Sequence, residues 1–347
     1  MTQSTRVLRT PLCRLLGIDV PIFSVGFGLG AGVDLAAAVS DAGGCGVLGS
    51  GEKRLDYALL EIRRLRERTA RPFGVNQIIA AQAHPKLRPL LEERILAYID
   101  KHVPLLVLFW GDPAPYVGEA HRHGVKVFIQ VGSVEEAVTA AEAGVDAVIA
   151  QGAEAGGHVK STTSIWEIVP AVVEAVAPVP VLASGGIGDG EAIAKALRLG
   201  AQGVSLGTRF VASEEAWLHV AYKDRIAASS ASDTVYGEVF DIGWPGAPHR
   251  TLRNKVVEEW ETAGRPPSGD RPGEGSVIGM RHLPWGEDRP WLRYETGSFV
   301  ADFDGDPEYA PMWAGESVAA VNEIKPAADI VRDLVRETES TLAAVTP

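Results

Sequence analysis

The sequence predicts an α/β protein: a (β/α)8 TIM barrel carrying a C-terminal extension domain, with helices that return to the barrel. Three observations carry that expectation. From residue 20 to about 226, short apolar runs alternate with longer segments of helical period, the pattern of βα units around a parallel sheet. The apolar runs number eight. Several helix candidates end in glycine just before the next run, in HGVKVFIQ, AGVDAVIA and LGAQGVSL, and this quasi-repeat favours one closed barrel over two unrelated domains. An open doubly wound sheet is the alternative, because no sequence rule separates closure from openness.

In order, the strands read as PIFSVG from Pro21, CGVLGS from Cys45, PFGVNQI from Pro72, PLLVLFW from Pro104, VKVFIQV from Val125, VDAVIAQG from Val145, VPVLASG from Val179 and GVSLGT from Gly203. Between them lie VDLAAAVSDAGG, RLDYALLEIRRLRERT, SVEEAVTAAEAG, SIWEIVPAVVEAVA and DGEAIAKALRLG, several opening at Ser or Asp and closing at Gly as helix caps require. The expected organisation is a barrel over 1–228, an extension over 229–310 rich in Gly, Pro and Trp, and returning helices over 311–347. Within the extension, LRNKVVEEWETAG has helical period, and the Gly- and Pro-rich stretch 263–276 is expected to be disordered.

The 347 residues suffice for a large core, and 46% hydrophobic with 22% charged residues is the composition of a globular protein. A net charge of −12 argues against nucleic acid or an anionic membrane as the main partner, though not against a small anionic substrate. The longest apolar run, VPLLVLFW at 103–110, is far short of a bilayer span. Arg14 and Asp19 interrupt any leader-like apolar segment, so a cytoplasmic protein is expected. Cys13 and Cys45 have no metal-ligand or CxxC spacing; no metal site is expected, and Cys45 reads as a packing residue.

Working groups in a (β/α)8 barrel sit at the C-terminal strand ends. After the seventh run comes ASGGIGDG, and after the eighth comes GTRF. Gly185, Gly186 and the Gly207–Thr208 turn can present backbone N–H groups to a phosphate, the position barrel enzymes often use. Such a phosphate could belong to a sugar phosphate, a nucleotide or FMN. Asn76 in FGVN and Gln151 are polar amides at strand ends, the glycines of SVGFGLG would allow close backbone approach, and AQGAEAGGHVK brings His158 to the barrel mouth behind Gly156 and Gly157. Imidazole suits proton transfer or anion binding there because its ordinary pKa lies near neutrality.

Together, QGAEAGGH, SGGIGDG and SLGTRF, with PFGVN upstream and GAPHRTLRN downstream, resemble the nitronate monooxygenase family of FMN-dependent barrels, formerly called 2-nitropropane dioxygenases. The resemblance implies that Asn76, Gln151 and Gly156 contact FMN, that Gly186 with Ser205, Leu206, Gly207 and Thr208 holds its phosphate, and that catalytic His158 faces a small substrate beside the ring. It further implies oxidation of alkyl nitronates by dioxygen to carbonyl compounds and nitrite. Two alternatives stay open: an NAD(P)H-dependent FMN reductase of quinones or enoyl-thioesters, and a flavin-free phosphate-binding barrel isomerase. His249 or Arg250 could bind substrate or reductant, Trp110 and Trp244 could wall the pocket or pack in the core, and Asp189 and Glu191 read as helix N-terminal acids. The chain departs from the family's more usual glutamine at Glu316 in MWAGESVAAV.

Overall fold

In a computed structural model describing residues 8–344, each apolar run forms a strand: β1 (Ile22–Ser24), β2 (Gly46–Gly49), β3 (Phe73–Ile78), β4 (Leu105–Phe109), β5 (Lys126–Val131) and β6 (Ala147–Gln151). A two-residue strand β7 (Gly157–His158) follows outside the barrel, then β8 (Val181–Ser184) and β9 (Gly203–Leu206) complete it. The barrel strands pair in parallel in the order β2-β3-β4-β5-β6-β8-β9-β1. A parallel bridge between Phe23 and Cys45 closes the ring, with the Cys45 N–H donating to Ile22 O at 2.9 Å and the Ser24 N–H to Cys45 O at 3.2 Å. The protein is thus a TIM barrel and not an open sheet. The first seven residues of the expected barrel segment, which open the stretch read for a leader, and the last three of the returning helices lie outside the described residues.

The barrel floor is apolar on the inside. Phe23, Val47, Leu105, Phe128, Ile149 and Leu182 pack against one another, and the short helix α1 (Pro11–Leu16) plugs the N-terminal end with Leu12 and Cys13. Cys45 lies in the same cluster; burial pushes its thiol up to about 12, so it is an inert packing group.

The wall is built by α2 (Val33–Asp41), α3 (Leu55–Arg68), α4 (Arg88–Asp100), α5 (Ala114–Arg122), α6 (Val134–Glu142), α7 (Ile165–Val176) and α8 (Gly190–Arg198). Their starts follow the capping chemistry: Ser133 accepts from the Glu136 N–H at α6, Ser164 from the Trp166 N–H at α7, and Asp189 from the Ala192 N–H at α8. After β9 the short helix α9 (Thr208–Val211) and then α10 (Val220–Ala228) lead into the extension. The His219 imidazole accepts from the Ala221 N–H and caps α10 while stacking on Phe299.

The extension holds β10 (Thr234–Gly237), β11 (His249–Leu252), α11 (Lys255–Thr262), β12 (Val277–His282), β13 (Asp288–Leu292) and β14 (Phe303–Gly305). Strands β12, β13 and β14 form an antiparallel sheet in the order β13-β12-β14, whereas β10 and β11 continue onto β7 of the barrel loop in the order β10-β11-β7. Finally, α12 (Ala327–Ala343) packs on α8, where Glu337 accepts from the Gly190 N–H at 3.1 Å.

The stretch 263–276, expected to be disordered, is instead irregular and anchored. Buried Arg271 pairs with Asp241 at 2.6 Å and Glu274 at 2.5 Å, donates to Val239 O at 3.0 Å and lies over the Tyr294 ring. One guanidinium with five donors supplies the fixed points that composition does not reveal. Among the described residues no helix is long and apolar enough to cross a membrane.

Candidate active site

Because side chains alternate along a strand, the residues one step above the apolar floor point into the mouth. On five of the strands that layer is neutral and polar: Asn76 sits two residues beyond Gly74, Gln130 beyond Phe128, Gln151 beyond Ile149, Ser184 beyond Leu182 and Ser205 beyond Gly203. Asn76 donates to Val107 O at 3.2 Å. Gln130 and Ser184 were not singled out from sequence, although their signal was present: each is a polar residue in an otherwise apolar run, in phase with the inward face.

The expected phosphate loops come together at the tips of β8 and β9. Gly185 and Gly186 have φ of +99° and +68°, the left-handed region that glycine alone adopts freely. A Cβ on Gly185 would approach Ala155 Cβ to 2.9 Å, and one on Gly186 would approach Glu154 Cβ to 3.0 Å. The backbone N–H groups of Gly185, Gly186, Gly207 and Thr208 donate to no other protein group among the described residues. Ser205, Leu206 and Thr208 are buried, and the Thr208 hydroxyl oxygen accepts from the Gly315 N–H at 3.0 Å. The arrangement is a cradle of unpaired donors suited to an anion.

The loop that follows β6 is held from both sides. The Gln151 carboxamide donates to His158 O at 2.9 Å and accepts from the Lys160 N–H at 2.9 Å, so the side chain expected to meet the cofactor braces its own loop. At Gly156 a Cβ would collide with the backbone of Ala314 and Gly315. That close approach is to the C-terminal segment. Gly157 has φ of +68° and lies in register with Arg250, while His158 pairs with His249. The Val159 N–H donates to Pro248 O at 2.8 Å, extending the seam.

These two histidines differ sharply. In His249, wholly buried, Nε2 accepts from the Phe240 N–H at 3.0 Å, which leaves Nδ1 to donate to Ala247 O at 3.0 Å. Both nitrogens are engaged, and burial lowers its pKa to about 4. It is a core residue and cannot also bind substrate. Arg250 is likewise committed, to Ala153 O at 2.9 Å, Thr234 Oγ1 at 3.2 Å and Glu316 at 3.3 Å, and lies over Tyr236. Glu316, the departure noted in the sequence, therefore pairs with a cation that fastens the His158 loop.

By contrast, His158 Nε2 is buried with no hydrogen-bond partner. Aromatic rings surround the imidazole: Trp244 with centroids 4.2 Å apart at 31°, Trp313 at 5.6 Å, His249 at 5.7 Å and Trp110 at 6.4 Å. Burial, with a smaller contribution from His249, lowers its pKa to about 3. Burial thus favours the neutral form of this ring, where the sequence alone suggested only the ordinary near-neutral value. Trp110, at the end of β4, has φ of +66°, a costly conformation for a bulky residue and a mark of functional sites. Trp313 was missed because it lies in the returning segment; its indole N–H donates to Gly297 O at 2.8 Å.

Residues 9–337 match the model of the family described as nitronate monooxygenase. The chain belongs to that family. Membership supports a flavin-dependent oxidoreductase. A relative from Mycobacterium tuberculosis named (3aS,4S,5R,7aS)-5-hydroxy-7a-methyl-1-oxo-octahydro-1H-indene-4-carboxyl-CoA dehydrogenase is 34% identical over 261 residues, covering 74% of this chain and 70% of its own. A protein named probable nitronate monooxygenase from Staphylococcus aureus is 29% identical, over 88% of this chain and 91% of its own. Among solved structures, FabK from Thermotoga maritima superposes with a TM-score of 0.78 at 33% identity, covering 97% of this chain and 98% of that one. Nitroalkane oxidase from Streptomyces ansochromogenes gives a TM-score of 0.76 at 26% identity, covering 97% and 100%.

Proposed function

We propose that this member of the nitronate monooxygenase family is an FMN-dependent enzyme that oxidises small alkyl nitronates with dioxygen to carbonyl compounds and nitrite. The observation that carries the reading is the unpartnered Nε2 of His158, buried in an aromatic mouth beside a cradle of unpaired backbone donors. The donor set fits the cofactor. Gly185, Gly186, Gly207 and Thr208 would hold the phosphate, and the amides of Asn76 and Gln130 stand in the inward layer that would meet the ring's polar edge. When bound, FMN supplies the electron chemistry between an organic substrate and dioxygen.

The chain's own groups do the rest. A neutral imidazole can donate an N–H to a nitronate oxygen, and the buried setting strengthens that bond by excluding water. A base with a pKa near 3 has little drive to take a proton from a weak carbon acid, so His158 suits a nitronate already ionised better than its parent nitroalkane. Trp110, Trp244 and Trp313 supply the apolar walls. The test is to purify the protein, record its flavin spectrum, and follow oxygen uptake with nitrite release on a series of alkyl nitronates. Nitrite formed in step with oxygen consumed is the expected result; flavin-loaded protein that turns over no nitronate overturns the reading.

A second reading, NAD(P)H-dependent reduction of an enoyl-thioester or quinone, draws support from the relative named a carboxyl-CoA dehydrogenase and from the likeness to FabK. Anaerobic NAD(P)H oxidation that requires such an acceptor would favour it.

A further inference from the structure

His158 is the group with chemistry to offer, yet the Trp244 indole lies against one face of its ring, with centroids 4.2 Å apart and planes inclined by 31°. His158 Nε2 is sealed from solvent, so a substrate that is to reach it needs one of the rings packed around it to move. The turn that carries Trp244 is built for such a movement. Its two roots are fixed: the Ile242 N–H donates to Tyr294 O at 3.1 Å and Ile242 O accepts from the Thr296 N–H at 2.9 Å. On the other side Ala247 is buried and its carbonyl accepts from His249 Nδ1 at 3.0 Å.

Between these roots the tip is free. Gly243, Pro245 and Gly246 are exposed, and Gly243 and Gly246 have φ of +97° and +68°. A Cβ on Gly246 would meet nothing within 4 Å. Among the described residues the tip makes one backbone hydrogen bond of its own, from the Trp244 N–H to Asp241 O at 2.9 Å, and the indole N–H donates to no protein group. Fixed roots, glycines on both sides and an aromatic cap with few polar ties are the anatomy of a hinged lid.

We propose that Trp244 gates His158: its indole covers the imidazole at rest and swings out on the 243–246 tip to admit substrate, and its bulk sets which substrates fit. The size-selection half rests on the function proposed above; the shielding half does not. Trp110, with its ring 5.1 Å from that of Trp244, is the fixed wall against which the gate closes.

Shielding is read on flavin-free protein by the rate at which diethyl pyrocarbonate modifies His158, measured by peptide mass spectrometry, with exposed His84 as the reference in the same sample. A minor open state of a two-state element is populated at about a tenth or less, so Trp244→Ala is expected to raise the His158 rate about tenfold or more while leaving His84 unchanged. Trp244→Phe, which keeps an aromatic cap, is expected to raise it less, and it decides the matter if the alanine variant does not fold. Equal His158 rates in wild type and a folded variant overturn the gate.

Selection is read on the loaded enzyme as the ratio of kcat/KM for a branched or aryl nitronate to that for the smallest linear one. That ratio is expected to rise in Trp244→Ala, and an unchanged ratio overturns the size filter. A wild type inactive on every nitronate would sink the proposed reaction while leaving the shielding result to stand on its own.

Discussion

The loop carrying His158 and the strand carrying His249 face each other in register, yet their imidazoles have opposite fates. His249 sits where both nitrogens find backbone partners, so its tautomer, orientation and charge are fixed, and what it contributes is rigidity. His158 lies 5.7 Å away in similarly apolar surroundings and keeps an unmatched nitrogen. Burial penalises both rings when charged, but only one is also denied a partner. A polar atom left in that condition adds nothing to stability, so a ligand is the natural account of it.

That contrast can be broken from either side. His158→Ala should cost about two to four orders of magnitude in turnover while flavin content and melting temperature hold or rise, as steady-state kinetics and calorimetry would show. Persistent activity on every substrate of the wild type would dissolve the distinction. His249→Ala should do the reverse. It strands the Phe240 N–H and opens a cavity, for a loss of about 3 kcal/mol by urea unfolding, with much of the activity change traceable to instability.

Acid titrates the two together. Above about pH 6.5, the ordinary histidine value, neither ring differs in protonation between folded and unfolded chains. Between there and their folded values, about 3 for His158 and about 4 for His249, the unfolded chain binds protons that the native state refuses. Stability therefore falls as pH drops through that window, by about 1.4 kcal/mol per unit for each ring. His158→Gln should flatten the slope measured by denaturation at stepped pH, and an unchanged slope would mean that the ring is not sequestered. The smallest effect belongs to the cradle: Gly186→Val forces a β-branched residue to a positive φ, at about 1–2 kcal/mol, and should weaken FMN binding about tenfold as followed by flavin fluorescence.

How much of this was legible in the sequence depended on whether the signal was local. The eight barrel strands and the caps at Ser133, Ser164 and Asp189 were readable because period and punctuation are properties of short windows. Closure was not, since it rests on the pairing of Phe23 with Cys45 across the first and second strands. His158 was named from its motif, but its depressed pKa was hidden, because the rings that bury it belong to distant Trp244 and Trp313. Gly156 was read as a close approach to the flavin; the neighbour its missing Cβ makes room for is the backbone of Ala314 and Gly315, which no short window of sequence reveals. Arg271 shows the limit of composition: one buried cation orders a stretch whose residue content argues for disorder.

The pairing of β7 with β11 has a consequence for how the molecule comes into being. As the chain leaves the ribosome, its last barrel strand can emerge and the ring can close while the loop after β6 still lacks the strand that aligns it. Alignment of the His158 loop thus waits until the extension has been made and has folded back, and so does completion of the core, which Leu252, Met312 and Leu334 share with the barrel.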